Sequence, residues 1–276
     1  MHTLNCSGKI LSLQTPLLMG ILNLTPDSIS DGGKFNSLDN ALRQAEKMLR
    51  EGADIIDVGG YSTRPNASDV SLQEETSRVV PVIEAIRKNF PNSIISIDTF
   101  RAVVAQKAIE VGASIVNDIS GGQLDEKMFE TAAQMRVPYI LMHSRGNPQT
   151  MSQLCNYENI FLEILHFFEQ RIEKLTILGV KDVILDLGFG FAKTREQNFQ
   201  LLKHLSFFEN LKKPILIGIS RKSMIYKTLH IEPSQALNGT TALHMFALEQ
   251  GAKILRVHDV AAAKETLTLW QKLQKS

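Results

Sequence analysis

The sequence predicts an α/β fold, a (β/α)8 barrel with a short N-terminal β extension. Three observations point there: eight short apolar runs, helical patterns between them, and polar residues gathered where the runs end. The runs are nearly continuous in apolar content, as strands covered on both faces are. Residues 1–16 hold a brief β pattern, read as a hairpin that plugs the barrel floor. The first run is LLMGILN (17–23), after which Leu38, Leu42, Ala45 and Leu49 mark one face of a helix over 38–50. DIIDVGG (54–60) leads to a helical pattern over 72–89, opened by the capping-box spacing of Ser71 and Glu74. Pro81 falls inside that pattern and should kink or divide it. SIISIDT (93–99), SIVNDIS (114–120) and PYILMHS (138–144) come next. Phe161, Ile164, Phe168, Ile172 and Leu175 then stripe a helix within 158–178. DVILDLG (182–188) precedes a second capping-box pair, Thr194 and Gln197. PILIGIS (214–220) is followed by a stretch, 221–250, long enough for two helices with Pro233 at the break, and AKILRVHD (252–259) is the eighth run. Gly52, Gly112, Gly179 and Gly251 each stand between a helix and the next strand, where a left-handed residue ends the helix. The rival fold, a doubly wound open sheet, would carry a Gly-rich dinucleotide turn after its first strand, and MGILNLTPDS does not.

Composition excludes partners. The 276 residues suit one domain spanning 1–276, with 1–16 as the extension. Thirty basic residues against 29 acidic ones give a net charge of +1, which leaves no broad electrostatic footprint for nucleic acid or a membrane surface. The two cysteines, Cys6 and Cys155, are far apart and read as free thiols in a reducing compartment. MHTLNCSGKI has no apolar targeting core, so a cytoplasmic location is expected.

Polar groups mark the C-terminal end of every run, the end at which such barrels carry their chemistry. Asn23 closes the first, Tyr61-Ser62-Thr63-Arg64 follow the second, and Asp98 ends the third. Asn117 and Asp118 lie on the fourth, His143 ends the fifth, and the sixth carries Asp186. Ser220-Arg221-Lys222 follow the seventh, and Arg256, His258 and Asp259 belong to the eighth. Singly, each has a plainer explanation: Asp98 as a helix cap, Asn23 as turn chemistry, Arg221 and Lys222 as solvated charges, Phe189 and Phe191 as core fillers. His244, inside a helix, reads as structural. Eight polar strand ends on one rim favour a site, with the long connections 24–37, 61–70 and 144–156 as its lids.

The group types suggest a substrate. Carboxylates low in a narrow mouth, Asp98 and Asp186 beside Asn117, need a partner, and a flat heterocycle with amidine-like N–H groups supplies two parallel bonds to one carboxylate. Arg64, Arg256 and His258, with Asn23 and Thr63, form a cationic zone for phosphate oxygens. A heterocycle on one side and phosphate on the other suggest transfer chemistry with a phosphate-type leaving group.

Seven segments, in order across nearly the whole chain, resemble the dihydropteroate synthase family: MGILNLTPDSISDGG (19–33), GGYSTRP (59–65), SIDT (96–99), VNDISGG (116–122), LDLGFGFAKT (185–194), IGISRKS (217–223) and RVHD (256–259). The resemblance implies a TIM barrel, usually dimeric, that joins a hydroxymethyl dihydropterin pyrophosphate to p-aminobenzoate and releases pyrophosphate, with Mg²⁺, in folate biosynthesis. It implies that Asp98, Asn117, Asp186 and Lys222 hold the pterin, with Met142 and Phe191 packed against it. Asn23, Arg64, Arg256 and His258 are implied to bind pyrophosphate, Asn23 also touching Mg²⁺. Thr63, Pro65, Ser220 and Ser223 are implied to border the p-aminobenzoate site. Asp98, Lys222, Arg256 and His258 carry the catalytic expectation, and Arg256→Ala is expected to slow turnover while sparing pterin binding. Four positions depart from the family pattern: Ile29 for Phe, Tyr61 for an acidic or amide residue, Leu187 for Pro, and Ala192 for Gly. Ile29 bears on sulfonamide binding. Two rivals remain: a methyltetrahydrofolate methyltransferase, which would not need the anion set, and a non-catalytic pterin-binding module.

Overall fold

The computed structural model describes residues 3–24, 33–61, 70–147 and 149–275. Strands β1 (Thr3–Cys6) and β2 (Lys9–Ser12) form an antiparallel hairpin. The barrel strands are β3 (Leu17–Asn23), β4 (Ile55–Gly59), β5 (Ile94–Asp98), β6 (Ile115–Asp118), β7 (Tyr139–Met142), β8 (Val183–Asp186), β9 (Ile215–Ile217) and β10 (Ile254–Val257). All eight run parallel in chain order, and β10 pairs with β3 to close the ring, which excludes the open sheet. The helices are α1 (Gly33–Arg50), α2 (Leu72–Asn89), α3 (Ala102–Glu110), α4 (Met128–Met135), α5 (Ile160–Ile177), α6 (Arg195–Lys203), α7 (Ser223–Leu229), α8 (Leu237–Glu249) and α9 (Val260–Leu273). Among the described residues, no helix is long and apolar enough to cross a membrane.

Local signals place these elements. Ser71 accepts the Glu74 amide at the start of α2, and Thr194 and Gln197 make a reciprocal capping box on α6. The stretch 221–250 does divide, into α7 and α8, with a 3-10 turn at Pro233–Gln235 between them. Gly112, at φ +124, shows the left-handed helix exit that its position suggested. Pro81 departs from expectation, because α2 runs through it undivided. It stands on the exposed face, as does Ser77 one turn earlier, so the carbonyl that loses its amide donor can be hydrated.

Strand parity builds the interior. One ring of side chains, including Met19, Ile55, Ile94, Ile115, Ile140, Ile184, Leu216 and Ile254, packs with Leu4, Cys6 and Leu13 from the N-terminal segment. The hairpin is therefore the barrel floor, tied by the Asn5 amide to Asp182 at 2.7 Å and by Lys9 to the Pro91 carbonyl at 2.7 Å. Burial, reinforced by the Asp182 charge, raises the Cys6 thiol to about 12, so it remains an unreactive thiol. Two residues further along the strands, the same inward face carries Asp57, Ser96, Asn117, Met142, Asp186 and Arg256. The period of two thus turns an apolar floor into a polar chamber within a single step.

His244, on α8, is structural as its helical position suggested: 1% exposed, with neither ring nitrogen hydrogen-bonded. Burial lowers it to about 4, with the Asp259 charge opposing. The unfolded chain takes up this proton near pH 6.5 while the folded chain resists it, so stability is lost as pH falls from about 6.5 to 4. We expect the urea midpoint to fall over that window, and His244→Leu to flatten part of the fall; parallel wild-type and variant curves would remove His244 as the cause.

Candidate active site

Arg256 organises the chamber. It lies on β10, and its Nε donates to Asp57 Oδ2 at 2.6 Å while Nη2 donates to Asp98 Oδ2 at 2.7 Å. Asn117 Nδ2 donates to the same Asp57 oxygen at 3.0 Å. The Asp57 side chain is fully buried, whereas those of Asp98 and Arg256 remain 17% and 19% exposed at the mouth. Two carboxylates therefore share one guanidinium. Loss of water raises Asp98, Arg256 pulls it back and Asp57 pushes it up again, leaving it at about 7. Burial alone lowers Arg256, but the Asp57 and Asp98 charges outweigh it and hold the guanidinium charged.

The opposite wall is built from β8 and the turn after it. Asp186 Oδ1 accepts the Gly188 amide at 2.8 Å, and a side chain at Gly218 would stand 3.9 Å from Oδ2, so that oxygen faces the lumen. Burial raises the Asp186 pKa, and Lys222 opposes that shift most strongly. Lys222 donates to the Phe189 carbonyl and stands 4.6 Å above the Phe191 ring. Burial lowers Lys222 to about 8, with Asp186 pulling it up. Gly188 is indispensable here: φ is +68, and a Cβ would fall 2.0 Å from the His143 carbonyl oxygen. Ala192 holds φ +48, a left-handed backbone that costs an alanine about 1 kcal/mol, and its carbonyl accepts Tyr157 Oη at 2.9 Å. Met142 is 2% exposed on β7, the neighbour of β8, with its Cα paired in register with Asp186.

The other expected groups lie on the same rim. Asn23 ends β3, and Ser220 Oγ accepts the His258 amide at 3.2 Å and contacts its Nδ1 at 3.1 Å. Loss of hydration, then the Arg256 charge, lowers His258 to about 4, so it is neutral at pH 7. Ser223 is exposed at the start of α7. Thr63, Arg64, Pro65 and Ile29 lie outside the described residues. Tyr61 packs edge-on against Phe100 with centroids 5.0 Å apart, and Leu187 is core.

Four rim residues, His143, Asp118, Arg221 and Asp259, are reassigned. His143 turns outward from the strand end to pack on Phe167 of α5, with centroids 4.8 Å apart. Asp118, also outward, accepts the Tyr139 hydroxyl and the Ser120 and Gly122 amides, tying its own loop. Arg221 is bidentate to Asp259 at 2.7 and 2.8 Å, a brace between the last two strand ends. Phe189 is core, while Phe191 is partly exposed at the site. Asp57 and Lys193, buried charged residues at the site, escape the sequence reading. Asp57 was legible, because an aspartate two places after Ile55 shares its inward parity; Lys193 carried no comparable signal.

This arrangement provides a carboxylate aimed into a lumen, a lysine beside it, and a guanidinium with a histidine toward the mouth. That suits a heterocyclic donor below and an anion above. For a cation, the described residues contain no cluster of three His, Cys, Asp or Glu groups. Asn23 supplies one neutral amide oxygen, a hard donor that fits Mg²⁺ when the remaining ligands are phosphate oxygens and water.

Comparison with known proteins gives the family. Residues 19–258 match the model of the family described as pterin binding enzyme. The chain is 48% identical over 270 residues to the dihydropteroate synthase of Haemophilus influenzae, covering 97% of this chain and 98% of that one. The crystal structure of the Yersinia pestis dihydropteroate synthase in complex with a sulfonamide drug superposes with a TM-score of 0.93 at 42% identity, covering 100% of both chains. The Xanthomonas albilineans dihydropteroate synthase with 4-aminobenzoic acid gives a TM-score of 0.93 at 39% identity, covering 99% of this chain and 98% of that one. The range matched by the family model takes in every chamber residue, and the chain belongs to the dihydropteroate synthase family of pterin-binding enzymes.

Proposed function

We propose that the chain condenses 6-hydroxymethyl-7,8-dihydropterin pyrophosphate with p-aminobenzoate, giving 7,8-dihydropteroate and pyrophosphate. The observation that carries this reading is the Asp57–Arg256–Asp98 cluster facing Asp186 and Lys222 across one chamber. Asp186 accepts the amidine-like edge of the pterin, Lys222 and Asn117 hold the ring, and Met142 and Phe191 pack on it. Arg256 and His258, with Asn23 and Arg64, take the pyrophosphate, and each such contact contributes a few kcal/mol as leaving-group charge grows. Bound Mg²⁺, held by Asn23, would neutralise part of that charge. The exocyclic C–O bond breaks with its electrons going to pyrophosphate, and ionised Asp98 stabilises the resulting cationic methylene. The p-aminobenzoate nitrogen, placed by Thr63, Pro65, Ser220 and Ser223, forms the C–N bond and loses a proton. Neither a covalent nucleophile nor a corrinoid partner enters, which separates this reading from the methyltransferase.

Pyrophosphate release is expected only when dihydropterin pyrophosphate, p-aminobenzoate and Mg²⁺ are all present. Pterin binding without release would instead identify a binding module. Asp57→Asn provides a finer check. Removing one of the two carboxylates on Arg256 lowers Asp98, and ionised Asp98 is needed, so the acid limb of kcat/KM should move at least about half a unit to lower pH. An unmoved limb would mean that Asp98 does not set it.

The same reading makes the protein a cytoplasmic enzyme of folate synthesis and a member of the sulfonamide target class. It also makes the protein a homodimer, supported by exposed Leu229, Leu237, Phe246, Leu269 and Leu273 on α7–α9. Sedimentation showing a monomer at micromolar concentration would overturn the dimer.

A further inference from the structure

Lys193 is a buried cation whose work the reaction leaves unassigned. It is 8% exposed, and its Nζ donates to Gly188 O at 3.0 Å, Phe191 O at 2.9 Å, His143 Nδ1 at 3.0 Å and His143 O at 3.4 Å. An ammonium has three N–H groups, so this cage of carbonyls and one imidazole nitrogen saturates it. The caged segment is the turn in which Gly188, Gly190 and Ala192 all hold positive φ, at +68, +81 and +48. Such a turn points several carbonyls inward, and a cation at their focus removes the repulsion between them.

The turn has three outputs, all on the pterin side. The Gly188 amide fixes Asp186 Oδ1 at 2.8 Å, the Phe189 carbonyl receives Lys222, and the Phe191 ring lies 4.6 Å from the Lys222 ammonium. His143 is the outer half of the device. Burial, then the Lys193 charge, hold its ring neutral, and the tautomer protonated at Nε2 presents the Nδ1 lone pair to the Lys193 ammonium. Resting on the proposed pterin site, we infer that Lys193, braced by His143, is a positioning residue for pterin recognition: it shapes the 188–193 turn that aims Asp186, Lys222 and Phe191.

The charges facing Lys193 are consistent with this role. Burial lowers it to about 7, Asp186 on β8 pulls it up, and Lys222 after β9 and Arg145 after β7 push it down, with Cys155 before α5 opposing them. The carboxylate that favours its charge is thus the one it helps to aim.

The test is Lys193→Met, which keeps length and apolar bulk while removing the ammonium. Dissociation constants for a 6-hydroxymethylpterin ligand are measured by calorimetry, and KM values for both substrates by steady-state kinetics. We expect the pterin Kd and the dihydropterin pyrophosphate KM each to rise at least tenfold, with the p-aminobenzoate KM within twofold. A merely structural loss lowers the melting temperature and the active fraction but leaves the KM of the remaining enzyme unchanged; that pattern overturns the inference. If Lys193→Met does not fold, His143→Asn and His143→Leu decide. Asparagine offers an acceptor near the Nδ1 position and should stay within twofold of wild type, whereas leucine should raise the pterin Kd at least threefold. Equal behaviour of the pair also overturns the inference. A wild-type chain that binds pterin without turnover would refute the proposed reaction, and the affinity ratios would still decide the role of Lys193.

Discussion

Arg256→Ala is expected to lower turnover at least about 100-fold, the scale for removing one preorganised donor to developing negative charge. Unlike the reading from sequence, which spared pterin binding, the structure makes pterin affinity fall as well. Arg256 does not stand alone at the rim but bridges Asp57 and Asp98 at 2.6 and 2.7 Å. Without it, a fully buried Asp57, left with only the Asn117 amide, and a largely enclosed Asp98 lose their shared cation, which raises Asp98 further and leaves it protonated at pH 7. Breaking such a pair costs about 3 kcal/mol of stability, so the urea midpoint should fall too. Adding Asp57→Asn to Arg256→Ala removes one of the stranded charges and should restore part of that stability. Kinetics, calorimetry and urea unfolding on the single and double variants check this; unchanged pterin affinity in Arg256→Ala would confine the residue to the pyrophosphate.

Much of the fold was legible because both faces of each barrel strand are buried. That burial forces near-continuous apolar runs, and LLMGILN and PYILMHS cannot be mistaken for loops. The same property hides which way a side chain points. Only the period of two, anchored on a residue of known direction, tells Asn117 from Asp118 or Met142 from His143. Without that anchor the sequence puts His143 and Asp118 on the rim and gives no role to Asp57, although DIIDVGG contains the needed alternation. Lys193 is invisible to strand parity, because apart from the distant His143 its partners are backbone carbonyls, and backbone atoms leave no trace in residue identity. Pro81 shows the converse: a strong local rule gave way because its cost falls on a solvated face.

Asp186→Asn should be nearly as damaging as the loss of Arg256, and the damage should fall on the pterin. The Gly188 amide holds one oxygen at 2.8 Å, so an asparagine keeps its carbonyl there and turns its NH2 toward the lumen. A donor then meets the amidine-like donors of the pterin, and a charge-assisted pair of bonds is replaced by an opposed one. Two such bonds at about 1.5–3 kcal/mol each correspond to a loss of at least about 100-fold in pterin affinity. The second consequence is electrostatic. Asp186 is the charge that chiefly supports Lys222, which burial has already brought down to about 8. Without Asp186, Lys222 falls further, so the residual affinity of Asp186→Asn should decline as pH rises through 7, where the wild type still holds most of its charge. Calorimetric titrations at pH 6.5 and 8 separate the two effects: an affinity loss that does not change with pH would assign all of it to the opposed donors. Recovery in Asp186→Glu would mean that charge near Lys222 matters more than the contact with the Gly188 amide. The larger expected effect is the contact itself, because only a carboxylate fixed by that amide keeps its free oxygen aimed into the lumen.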